Sequence, residues 1–104
     1  MSKLRHAKDE KNGVEYVLWW CPGCREPHQI TVKGTNTWTW NGRDDTPTFS
    51  PSVLVRKSMT DFTGRCHCFV NDGVIDFLSD CAHPLAGQKV PMPDWNGYDP
   101  SRYL

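Results

Sequence analysis

Two cysteines separated only by Pro-Gly, at Cys21-Pro22-Gly23-Cys24, constrain this chain more than any other feature. A Pro-Gly pair favours a tight turn, so both sulfurs and nearby N–H groups can face one metal ion. Period-two patterns flank the turn. Val14, Tyr16, Leu18 and Trp20 alternate with Glu15, Val17 and Trp19 before it, and His28, Ile30 and Val32 share one face after it. A strand, a two-cysteine turn and a returning strand together make a zinc knuckle.

The rest of the composition explains why such an anchor is needed. The chain has 104 residues, which suits one domain, and only 38% of them are hydrophobic. A core of that size is thin, although five Trp, four Phe and three Tyr enlarge it. A bound Zn2+ supplies further stability. Twelve basic and twelve acidic residues are interspersed and cancel. That balance disfavours nucleic acid as a partner, since phosphate neutralisation needs a basic surface. The five cysteines are an odd number, and no apolar leader follows Lys3, Arg5 and Lys8. Both facts favour metal ligation in a reducing cytoplasm over disulfides. No apolar run is long enough for a membrane span.

These patterns predict a small, mainly β, single-domain antiparallel fold with a zinc-ribbon-like site and a loop-rich C-terminus. Residues 1–13 read as a polar arm, frayed or forming an edge strand. Residues 14–95 read as the zinc-binding β domain and 96–104 as a tail. Thr37 to Trp40 reads as a short strand with both indoles on one face. Residues 47–52 carry Pro47 and Pro51, which confine them to an edge or loop, and Ser52 to Arg56 reads as a buried strand. Residues 57–64 read as a loop, and Leu85 to Gln88 as one helical turn. The clearest hairpin runs from Arg65 to Leu78 around Asp72-Gly73. A two-residue turn there pairs Val70 with Ile75 and Cys68 with Phe77, with Cys66, Cys68 and Val70 on one face and His67 and Phe69 on the other.

The chain offers more metal donors than one tetrahedral ion requires. Beyond Cys21 and Cys24 these are Cys66, His67, Cys68, Cys81, His83 and His28. The expected zinc ligands are Cys21, Cys24, Cys66 and His83. Cys68 suits a small core side chain equally well. The spare histidines motivate an enzyme, with His28 or His67 as general base and Ser50 or water as nucleophile. Asp76 or Asp80 can orient His67. Alternatively, a zinc with an open position activates water. The simplest reading of Ser50 and Ser52 remains turn chemistry in a proline-framed loop. His6 reads as a surface residue. The tryptophans read as core, or Trp38 and Trp40 as a peptide-binding wall.

Six motifs in order carry a family resemblance. They are Cys21-Pro22-Gly23-Cys24 with His28; Trp38-Thr39-Trp40-Asn41-Gly42; Pro47 to Ser52; Arg65-Cys66-His67-Cys68-Phe69; Asp72 to Asp80; and His83 to Gln88. Together they resemble DUF6527, a family of short phage and bacterial proteins often mislabelled ammonia monooxygenase. The resemblance implies a compact zinc-binding β domain of mobile elements. It also implies Cys-His-Ser-Phe where this chain has Cys66-His67-Cys68-Phe69, which weakens Cys68 as a ligand. A position variable between Cys and Ser at Cys81 favours His83. Relatives lie near genes for ubiquitin-like conjugation, which implies a peptidase acting on an extended tail such as that of a ubiquitin-like protein. The competing expectation is a non-catalytic, zinc-stabilised protein-binding module, such as a phage inhibitor of a host factor.

Overall fold

A computed structural model describes residues 3–55 and 65–95. The described residues form eight strands and no helix. A three-stranded sheet has the order β1-β2-β3, from β1 (Leu4–Asp9), β2 (Val14–Cys21) and β3 (Glu26–Lys33). A five-stranded sheet has the order β4-β5-β6-β7-β8. Its strands are β4 (Thr39–Trp40), β5 (Phe49–Val55), β6 (Cys66–Asn71), β7 (Val74–Phe77) and β8 (Lys89–Pro91). All pairings are antiparallel.

The two sheets share one core. Val17, Trp19, Cys21 and Ile30 from the first meet Phe49, Val53, Cys66, Cys68, Val70, Ile75 and Phe77 from the second. Trp19 and Phe77 are almost wholly buried, and truncating a side chain of this kind costs about 3–5 kcal/mol. In so small a domain that is a large share of the total stability.

Of the two forms open to the N-terminal arm, Leu4–Asp9 takes the strand, paired with β2 from Leu4↔Trp19 to Asp9↔Val14. Lys3 ties this edge to the other sheet by donating Nζ–H to the Met92 carbonyl at 2.8 Å. The β6–β7 hairpin has the anticipated register, Val70↔Ile75 and Cys68↔Phe77. Asp72 (φ 52°) and Gly73 (φ 79°) are both left-handed, as a two-residue hairpin turn of matching twist requires.

Three local expectations are corrected. First, Phe49 to Val55 is one strand, interior to its sheet between β4 and β6 in place of the edge or loop expected for residues 47–52, and it is only part-buried, with Leu54 exposed. Its regular pairing with β6 is interrupted between Phe49 and Val53, and Pro51, with no N–H to give, sits in that interruption. Second, the strand expected over Thr37 to Trp40 shortens to Thr39–Trp40. The Trp38 N–H instead bonds the Thr31 carbonyl at 2.8 Å, linking the two sheets. Third, Leu85 to Gln88 is a turn closed by Gln88 N–H on the Leu85 carbonyl, not a helical turn. Arg56, the loop expected at 57–64 and the tail at 96–104 lie outside the described residues.

Candidate functional site

On the outer face of the five-stranded sheet, three side chains form a hydrogen-bonded chain. His67 Nε2 lies 3.1 Å from Ser52 Oγ, and His67 Nδ1 lies 3.2 Å from Asp80 Oδ2. The tautomer that satisfies both contacts has Nδ1–H donating to the carboxylate and Nε2 accepting from the hydroxyl. Register explains the meeting. His67 pairs with Leu54 across β5–β6, so the side chain two residues before Leu54 lies on the same face, diagonal to the imidazole.

Asp80 comes from the segment after β7, and backbone contacts tie that segment to β6 around His67. Leu78 N–H bonds the His67 carbonyl at 2.9 Å, and Ala82 N–H bonds the Arg65 carbonyl at 2.8 Å. Cys81 Sγ accepts from His67 N–H at 3.3 Å and donates to the His67 carbonyl at 3.1 Å. Strand β5 is held as well, since Trp38 Nε1–H donates to the Ser52 carbonyl at 3.2 Å.

Desolvation pulls the Asp80 carboxyl upward, but the hydrogen bond from His67 and the nearby Arg65 guanidinium outweigh it. The carboxyl is held below its ordinary 3.8. A depressed folded value means that the interaction stabilises the fold above pH 3.8 and is lost as pH falls through the lower value. Asp80 is therefore a carboxylate throughout the neutral range.

A second constellation lies behind this face, inside the core. The donor atoms of Cys21, Cys24, His28 and Cys66 all lie within 4.8 Å of one another. Cys21 and Cys66 Sγ are 3.8 Å apart, and all five cysteines are free of disulfides. Hairpin closure brings His28 in: it pairs with Trp19, two residues before Cys21, and its ring stands edge-on to the Trp19 indole at 5.0 Å. His28 Nε2 is buried without a hydrogen-bond partner. An orphaned, desolvated imidazole nitrogen is costly unless something binds it. The thiols polarise one another. Contacts from Cys21, Cys66 and His28 push Cys24 strongly toward thiolate. Hydrogen bonding with Cys24 pushes Cys21 up to about 12. The donor set thus fits a metal ion, which three sulfurs and one nitrogen could hold.

The expected site residues fall in different parts of the structure. His67 is one of the expected catalytic groups, but its hydroxyl partner is Ser52, not Ser50. Ser50 is exposed and pairs with Thr39 on the β4 side. Of the two acids considered, Asp80 meets His67, while Asp76 pairs with Phe69 and Lys89. His28 sits with the thiols in the core instead of beside a nucleophile. His83 does not join Cys21 and Cys24. It groups with Cys66 and Cys81, and its Nδ1 accepts from Leu85 N–H at 3.2 Å. The His83 ring stands edge-on to Phe77 and lies against Gly23, where a Cβ would overlap it. Cys68 is a wholly buried core residue. His6 is at the surface, bonded to both carboxylate oxygens of Asp44. A cleft of about 510 Å³ beside it is lined by Lys8, Tyr16, Val32 and Trp40 among others, none of them Ser or Cys.

A hydroxyl, an imidazole and a carboxylate linked in this order are the groups that serine hydrolases use, and here they stand on an all-β scaffold with a buried donor cluster. Residues 2–78 match the family model described as "Bacterial ubiquitination-like system serine protease (BubE)". The chain belongs to that family. The match corrects the assignment to DUF6527 made from the motifs, for which the family comparison gives no support. No curated protein and no solved structure matches the chain. Among the described residues no helix is long and apolar enough to cross a membrane.

Proposed function

We propose that this chain is a serine peptidase acting on the extended tail of a ubiquitin-like protein. Ser52 is the nucleophile, His67 the general base and Asp80 the acid that orients it. The observation that carries this reading is the continuous contact from Ser52 Oγ through both ring nitrogens of His67 to Asp80. The family description supplies the pathway.

The chemistry follows from the atoms in contact. Ser52 Oγ attacks the carbonyl carbon of the scissile amide while its proton passes to His67 Nε2. Nε2–H then protonates the departing amine, and the tail remains as an ester on Ser52. Water, deprotonated by the same nitrogen, hydrolyses that ester. Asp80 keeps Nδ1 protonated and stabilises the imidazolium, without itself taking a proton. Cys21, Cys24, His28 and Cys66 would hold a Zn2+ that would serve as a structural brace. A closed set of four protein donors leaves no position for substrate, and the cluster lies in the core, away from the Ser52 face. Cys66 immediately precedes His67 in β6, so the brace fixes the strand that carries the base.

Asp80→Asn keeps the shape but can no longer select the tautomer, and kcat is expected to fall about 10⁴-fold. Steady-state kinetics with the fold checked by circular dichroism measure this. For the function itself, a ubiquitin-like protein with a C-terminal extension is the test substrate, read by product mass. Wild type is expected to release the extension and His67→Ala to leave it attached. Undiminished cleavage by His67→Ala would overturn the proposal.

A further inference from the structure

The outer face around the triad carries two exposed apolar side chains. Leu54 and Phe69 are each 41% exposed, the large hydrophobic residues so exposed among those described. Most of the apolar residues in the same strands are buried, including Phe49, Val53, Cys66, Cys68 and Val70. Isolated exposed apolar residues are ordinary on a protein surface. The position of this pair is what gives it meaning.

Leu54 is the cross-strand partner of His67. Phe69 lies two residues along β6 from His67, on the same face. Ser52 lies two residues before Leu54 on β5 and bonds His67. The four side chains therefore share one patch. Hydroxyl and imidazole occupy its middle, with an apolar side chain on either side. Spacing along a strand places each apolar group about 7 Å from its neighbour two residues away. An extended peptide advances at the same rate, so its side chains reach these positions when its carbonyl sits at Ser52.

We infer that Leu54 and Phe69 form an apolar subsite of the peptidase. It takes a leucine-, valine- or phenylalanine-like side chain of the extended substrate within about two residues of the scissile bond. The inference rests on Ser52 and His67 being the reacting pair. It adds which peptides that pair accepts: those carrying an aliphatic or aromatic residue near the cut, with charged residues there disfavoured. An acidic side chain at this position would bury its charge against Leu54 and Phe69 without compensation.

The test uses the metal-loaded full chain and two fluorophosphonates with chains of equal length. One chain is a plain alkyl and the other ends in a carboxylate. In each reaction Ser52 Oγ bonds phosphorus, fluoride leaves, and the hydroxyl proton passes to His67 Nε2. Wild type is expected to react with the alkyl reagent about tenfold faster or more. In Leu54→Ser/Phe69→Ser that preference is expected to shrink to about threefold or less. Each rate is divided by that of ethyl fluorophosphonate, too short to reach the subsite, on the same protein, so that any change at the triad itself cancels. An unchanged preference in the double variant, or none in wild type, would overturn the subsite while leaving the triad standing. Failure of wild type to react with the ethyl reagent would instead sink the Ser52 reading and the subsite with it.

Discussion

Ser52→Ala is expected to lower kcat about 10⁶-fold, to the residual rate of a site that binds but has lost its nucleophile. Ser50→Ala is expected to leave kcat within about twofold of wild type. The contrast follows from geometry. Both residues belong to β5, separated only by Pro51, but only Ser52 Oγ lies 3.1 Å from His67 Nε2. Ser50 is exposed and pairs toward β4. The Ser52→Ala protein should keep its metal and melt within about 4–8 °C of wild type, because a half-buried hydroxyl contributes about 1 kcal/mol or less. Kinetics on the extended ubiquitin-like substrate, with melting curves, measure both. If the two serines exchanged roles in that assay, the register argument would be wrong.

Removing the metal is expected to abolish activity by a different route. Binding of a structural Zn2+ is worth about 10–16 kcal/mol in small domains, and the whole stability of a domain is about 5–15 kcal/mol. Loss of the ion therefore exceeds the margin. Chelation, or Cys21→Ser, should remove the β-sheet signal in circular dichroism and the activity together. A catalytic ion would give another pattern, with activity lost and the fold kept. The ligand assignment has its own discriminator. His28→Ala should lower the zinc content well below one ion per chain, while His83→Ala should leave it near one. Both histidines have a buried, unpartnered Nε2, but His28 groups with three sulfurs. His83 groups with only two, and one of those, Cys81, is already bonded to the His67 backbone. Acid should strip the ion progressively, since its thiolate ligands must take up protons as pH falls.

Much of this architecture is written in local patterns. The alternation around Cys21-Pro22-Gly23-Cys24 specifies the β2–β3 hairpin, and Asp72-Gly73 specifies the β6–β7 turn to the exact rung. His67 could be singled out because its strand puts it on the opposite face from Cys66 and Cys68. Ser52 was obscured by Pro47 and Pro51, whose usual reading is a loop. The alternation of Ser52, Val53 and Leu54 was the available signal, but it becomes useful only once Leu54 is known to face His67. That pairing is non-local and depends on where the irregularity in β5 falls. His28 has a similar history. Two residues beyond a two-cysteine turn and its short loop, a histidine can fall to either side, and the Trp19↔His28 pairing decides it. Asp80 was readable as one of two acids; the choice against Asp76 rests on backbone bonds from Leu78 and Ala82 that no sequence pattern announces.

The measurement that reaches the central claim most directly is the location of a covalent fluorophosphonate adduct. The metal-loaded protein is treated with a small reagent, digested, and the peptide holding both Ser50 and Ser52 is fragmented to separate them. The account predicts one adduct per chain, on Ser52, absent from His67→Ala. An adduct on Ser50, or full hydrolytic activity with no adduct at either serine, would contradict it.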